Sequence, residues 1–236
     1  MDRRTFVFTS SGAAIGSLVV PGLAEADGND HFAADPSGLI SGVPKPLRHR
    51  EVPGFLSAAQ IAPHHSAHYG GAVKTFASVE QALERSFAAG STADPLAVER
   101  MKALQSSRGN SVVLHELYFD GLALKATTPG SGLRDAIAKR FGSVDRWAAD
   151  FVTSAKSAAG WAMLVRHPVN ARLYNVVSDE HAQGPLWLAV PLIVIDTYEH
   201  AFYIDYQNRK AEYVEKFMKF IDWAEADRRY RLVTKA

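Results

Sequence analysis

The chain of 236 residues contains no cysteine. Thiolate metal sites and disulfides are therefore excluded, and any metal must take histidine, aspartate, glutamate or water. Excess charge is also absent, since 26 Lys and Arg face 25 Asp and Glu for a formal net charge of +1. That excludes a broad basic field for nucleic acid, and there is no acidic tail. The one basic cluster, Arg228-Arg229-Tyr230-Arg231, reads as a solvated helix end. No apolar run reaches the ~20 residues of a membrane-spanning helix, so no membrane span is expected in the mature form. No internal repeat or low-complexity block occurs. What is present is ordinary globular composition, 47% hydrophobic and 22% charged, enough for one good core or two small ones.

The first 26 residues have a charged start, a mildly apolar middle and Ala24-Glu25-Ala26 as a cleavage pattern. Arg3-Arg4 followed by Thr5-Phe6-Val7 resembles a twin-arginine export signal; the other reading is a chance arginine pair on a general secretion signal. The expectation is a signal peptide over 1–26 and a periplasmic or otherwise exported protein. The twin-arginine route carries folded proteins, often with a cofactor already loaded. Residues 27–53, with Gly, Pro and mixed charge, read as a flexible arm.

From Ser57 to about Phe87 the spacing predicts a helix, with Ser57 as its N-cap. Residues 96–106 and 110–124 read as two more helical stretches, divided at Arg108-Gly109-Asn110. A loop at 126–132 is a candidate domain boundary. Helices are predicted at 133–141 and 144–157, strands at 160–167, 172–178 and 191–196, and helices at 199–208 and 211–230. The fold class expected is α+β: an N-terminal helical hairpin domain over 54–126, then a C-terminal α/β domain over 127–236 with a three-stranded antiparallel sheet.

The apolar run Leu192-Ile193-Val194-Ile195 ends on Asp196, and Glu199 and His200 follow at once. A carboxylate at a strand end and an imidazole one turn later can point into one cavity, and that donor pair suits iron, manganese or zinc. Of the nine histidines, His64 and His68 lie at i and i+4 on the first helix, and His115 lies in the apolar helical stretch "SVVLHELYF".

Asp196-Thr197-Tyr198-Glu199-His200-Ala201-Phe202-Tyr203 resembles the D-x-W-E-H-A-[FY]-Y signature of the iron/manganese superoxide dismutases. "SAAQIAPHHSAHY", "VVLHELYF" and "FGSVDRWAADFVTSAKSAAGWAMLV" resemble further blocks of that family, in order, across residues ~53–225. The resemblance implies one iron or manganese ion per subunit, held by His64, His115, Asp196 and His200, with a water or hydroxide as fifth ligand. It implies superoxide as substrate, oxygen and hydrogen peroxide as products, and a homodimer. Glu199 would reach the partner's His200, and Tyr203 would bond the partner's His68. Trp161 and Tyr198 would form pocket walls. His181, fifteen residues before Asp196, would tune the metal's water, in the manner of the family's histidine-containing subset; Ser111, one turn before His115, replaces the glutamine of many iron forms.

Four departures stand out. Ala72 occupies the position of the family's gateway tyrosine, and Tyr198 that of the signature tryptophan. Pro63 directly precedes His64, where it implies a kink or a helix start, and Gly70-Gly71 weakens the helix beyond. These leave a second reading open, a dismutase-like metal-binding protein with weak or no activity.

Overall fold

A computed structural model describes residues 36–235 other than Ala89 and Pro185. The export signal expected at 1–26 and the start of the arm, 27–35, lie outside the described residues. The architecture is α+β. Its helical front half comprises α1 (Gly38–Ser41), α2 (Ala58–Pro63), a π-helical turn (His64–Tyr69), α3 (Gly70–Ser86) and α4 (Pro95–Asp120). The back half begins with α5 (Ser131–Phe141) and α6 (Val144–Ser157). It continues through β1 (Trp161–Arg166), β2 (Leu173–Ser178) and β3 (Val190–Asp196), then a 3-10 turn (Glu199–Ala201), α7 (Tyr203–Tyr206), α8 (Lys210–Phe217) and α9 (Trp223–Lys235).

Local chemistry accounts for these boundaries. Ser57 caps α2, its Oγ accepting from Gln60 N at 3.1 Å. Asp94 caps α4 ahead of Pro95, at the first helical position, where a missing N–H costs nothing. The sheet is antiparallel in the order β2-β1-β3, so β1 is central, apolar and buried from Trp161 to Val165. Pro191, which has no N–H to give, sits on the edge strand β3 beside a bulge. The register sets Trp161 opposite Asp196 and Ser178. Gly160 holds this corner: a Cβ there would lie 2.7 Å from Ser178 O, and Thr197 N donates to Gly160 O at 2.7 Å. One buried cluster runs from Val52 and Ile61 through Tyr118 and Trp161 to Ile221. The loop at 126–132 therefore joins the two halves of one continuous core.

The structure corrects several expectations. Residues 36–53 are tethered at particular points along their length: Val52 is fully buried and Lys45 Nζ pairs with Asp120 Oδ2 at 2.7 Å. The break at Arg108-Gly109-Asn110 is absent, because α4 runs through it. A Cβ on Gly109 would meet Phe76 at 3.1 Å, so glycine is used there for close approach to α3. The helix expected at 211–230 is interrupted at 218–222, where the backbone turns to pair with the end of α4. Ala123 N donates to Phe220 O and Asp222 N to Gly121 O, each at 2.8 Å. The 199–208 helix is likewise split into the 3-10 turn and α7. At Pro63 the helix neither stops nor starts; α2 passes into the π-helical turn.

The tail cluster is not simply solvated. Arg229 is buried, donating from Nη1 to Leu192 O at 3.1 Å and from Nη2 to Leu117 O at 3.0 Å. It thereby ties α9 to β3 and to α4. Glu225 holds it through Nε at 2.8 Å and also takes two bonds from Arg228. Replacing Arg229 with Met strands those two carbonyls and is expected to cost about 3 kcal/mol in urea unfolding at pH 7. Burial alone would raise the Glu225 carboxyl, but Arg228 and Arg229 hold it below its ordinary value of 4.5. The sign follows from that depression: the contribution is full above pH 4.5 and is lost as pH falls through the folded-state value. Glu225→Gln should therefore flatten the acid limb of the stability–pH curve and change little in its shape above about pH 6.

Candidate metal centre

Three distant stretches of sequence bring four donors to a buried point, the last two from the adjacent β3 and 3-10 turn. His64 opens the π-helical turn, His115 lies in α4, Asp196 ends β3 and His200 lies in the 3-10 turn. Their ligand atoms lie within 4.8 Å of one another. Asp196 Oδ2 is 3.1 Å from His64 Nε2, 3.2 Å from His200 Nε2 and 3.6 Å from His115 Nε2. The His64, His115 and Asp196 side chains are buried, and His200 is partly so.

Each donor is held from behind. Asp196 Oδ1 accepts from Tyr198 N at 2.9 Å, which leaves Oδ2 for the cluster. The Asp196 main-chain oxygen accepts from Tyr213 OH at 2.8 Å, and Tyr213 OH meets Tyr118 OH at 2.9 Å. His115 Nδ1 lies 2.7 Å from Ser111 O. A carbonyl only accepts, so Nδ1 carries the proton and Nε2 a bare lone pair. That Nε2 is buried with no hydrogen-bond partner. A metal cation is the partner such an atom fits. Gln60, fully buried in α2, donates to His200 O at 2.6 Å and accepts from Ile204 N at 2.9 Å, which locks the turn that carries His200.

The electrostatics agree. Burial pushes the His115 imidazole down to about 3 and also lowers His64, although Asp196 opposes both shifts. Burial alone would raise the Asp196 carboxyl, but hydrogen bonds with His200 and His64 hold it well below the usual carboxylate range. A neutral His64 and His115 beside the Asp196 carboxylate anion have the charge states that cation binding requires.

Around the four lie most of the other expected site residues. The Trp161 ring stands edge-on to His115, with centroids 5.1 Å apart. Trp161 Nε1 donates to His181 Nδ1 at 2.9 Å, so neutral His181 carries its proton on Nε2. His68 stacks on His200 with centroids at 3.9 Å, and Tyr198 stacks on it at 5.2 Å. Glu199 and Tyr203 are exposed and stand outside the cluster of four donors. Ala72 is buried in α3 and offers no hydroxyl. Sequence reasoning singles out neither Gln60 nor Tyr213 nor Tyr118, and it gives Ser111 no role in holding His115. A glutamine in an apolar helix and tyrosines in aromatic-rich stretches carry no local signal of what they hold.

Residues 129–229 match the family described as "Iron/manganese superoxide dismutases, C-terminal domain". The chain is 35% identical over 178 residues to a superoxide dismutase [Fe] of Cupriavidus metallidurans, covering 74% of this chain and 88% of that one. It is 35% identical over 185 residues to a superoxide dismutase [Fe] of Aquifex aeolicus, covering 77% and 87%. It is 30% identical over 188 residues to "Superoxide dismutase [Mn] 2" of Haloferax volcanii, covering 79% and 93%. With the helical front half, the three-stranded antiparallel sheet and the His3Asp cluster on the same chain, this protein belongs to the iron/manganese superoxide dismutase family.

Proposed function

We propose that this protein is an exported superoxide dismutase using one iron or manganese ion per subunit. The observation that carries the reading is the single Asp196 oxygen set 3.1 to 3.6 Å from three histidine Nε2 atoms, one of which has no other partner. Iron or manganese bound there supplies one-electron chemistry, in which one superoxide is oxidised to oxygen and a second is reduced to peroxide. The chain's own task is to hold, orient and supply protons. His64, His115 and His200 would give imidazole nitrogens, and Asp196 would give negative charge that offsets some of the cation's. Ser111 fixes the tautomer of His115, and Trp161 fixes His181 as an Nε2–H donor beside His115.

A second reading, metal binding with weak dismutase activity, is favoured by Ala72. Tyr69 cannot stand in for the missing hydroxyl. Its OH accepts from Lys45 N and donates to Glu116, each at 2.8 Å, and neither partner is one of the four donors. Asp196→Ala and His115→Ala should each lose iron and manganese on elemental analysis, because the cluster has no spare donor. Superoxide turnover per bound ion, measured after separate loading with each metal, decides between the readings; near-background turnover in both forms supports the second. On the first reading, His181→Leu should lower turnover about ten- to hundredfold while metal content holds.

The assembly we propose is a homodimer through the face that carries His200. What supports it is the exposure of Glu199, His68 and Tyr203 beside an open recess of about 530 Å³ bordered by Tyr198, His200 and Lys210. Glu199→Ala should shift the protein toward monomer in sedimentation and alter the spectrum of the bound metal. A dimer with an unchanged spectrum would leave Glu199 as an ordinary acid at the start of a helical turn.

Export by the twin-arginine route is proposed from Arg3-Arg4 and the Ala24-Glu25-Ala26 pattern alone. Exchanging both arginines for lysine should abolish periplasmic accumulation, since the receptor reads the pair as an address. Normal periplasmic levels would point to general secretion.

A further inference from the structure

The π-helical turn that begins with His64 is an uncommon segment, of a kind often found at functional sites. Its side chains show what holds it. His65 and Tyr69, at its two ends, grip one residue of the preceding segment. Tyr69 OH accepts from Lys45 N, and His65 Nε2 meets Lys45 O, each at 2.8 Å. Both polar groups of one peptide residue are thus satisfied by the turn, much as a neighbouring strand would satisfy them.

The same segment reaches the second ligand helix. Glu116, the residue after His115, is buried and accepts from Tyr69 OH and from Gly38 N, each at 2.8 Å. One turn on, Asp120 takes Lys45 Nζ at 2.7 Å through its side chain and Arg48 Nη1 at 2.6 Å through its carbonyl. Gly38 sits so close that a Cβ would lie 2.7 Å from Val73 Cγ2 and 3.1 Å from Tyr69 OH. Residues 38–48 therefore form a strap bonded to residues adjoining both His64 and His115.

We propose that this strap is a latch for the metal, with Tyr69 and Glu116 as positioning residues that transmit its docking to His64 and His115. Docked, the strap fixes the separation of two of the four donors; undocked, the π-helical turn can relax toward regular helix and the donor set opens. Coupling of this kind is reciprocal: if docking favours metal retention, bound metal must favour docking. The inference rests on the reading that His64, His115, Asp196 and His200 hold a metal.

Two measurements on the full chain test it. In hydrogen exchange, amides of residues 38–48 should exchange about tenfold faster in metal-free than in manganese-loaded protein. In a chase with excess EDTA, Tyr69→Phe, which removes the hydroxyl shared by Lys45 and Glu116, should release manganese about tenfold faster than the wild type. Gly38→Val, which touches neither the donors nor the π-helical turn's backbone, should also accelerate release by displacing α1. Ser143→Ala removes the N-cap of α6, where Oγ accepts from Arg146 N at 3.0 Å outside both the strap and the donor set, and should release manganese at the wild-type rate. Wild-type release rates in both strap variants, or acceleration in all three in proportion to their loss of Tm, would overturn the latch. A wild-type protein that takes up neither iron nor manganese would instead overturn the metal reading beneath it.

Discussion

A fully buried carboxylate surrounded by imidazoles is the constraint from which the rest of the structure follows. Moving an anion such as Asp196 out of water costs several kcal/mol unless hydrogen bonds and opposite charge offset it. Here the two oxygens divide the task. Oδ1 takes the Tyr198 amide, and Oδ2 faces three histidine nitrogens. In that arrangement the bare Nε2 of His115 has no hydrogen-bond partner, and a cation at this point would be a partner for its lone pair.

The fold keeps these groups at one point by several independent means. The sheet supplies rigidity: Asp196 ends a strand pinned by its register with Trp161 and by the Thr197–Gly160 bond. The helical half supplies His64 and His115 from two helices in close contact, a contact that Gly109 permits by lacking a Cβ against Phe76. Gln60 and Arg229 cross between the halves, one holding the turn of His200 and the other holding α9 against both β3 and α4. Buried polar side chains of this kind are fully partnered, which is the condition for their being tolerated in a core at all.

Membership of the family fixes the chemistry that the donor set can support, whereas the layer around it is this chain's own. Ala72 leaves a small buried side chain where the family resemblance implies a hydroxyl. Tyr69 and Glu116 instead form a buried pair directed at the Gly38–Arg48 strap. The Tyr69 hydroxyl, three residues before Ala72, is thus engaged in fastening the helices. Beside His115, Trp161 Nε1 donates to His181 Nδ1, which sets that ring's tautomer.

Much of this was legible in the sequence. Three strands, the last ending on Asp196, Ser57 as a cap, and His64, His115, Asp196 and His200 as a candidate donor set all follow from periodicity, residue chemistry and a family resemblance carried by several ordered motifs. These features are local or are tied to strong residue preferences, so one dimension suffices to read them. Tertiary contact decided the rest. Gly109 marks a break by local propensity, yet the helix continues because packing against Phe76 outweighs a glycine cost of about 1 kcal/mol. The interruption at 218–222 exists because that backbone pairs with the distant residues Gly121 and Ala123. Residues 36–53 look like a loose arm from their Gly and Pro content, but Val52 enters the core and Lys45 finds two partners in the π-helical turn. Burial of Arg229 beneath a basic tail, and the tautomer that Ser111 imposes on His115, likewise depend on which carbonyl lies within reach, and only the folded chain decides that.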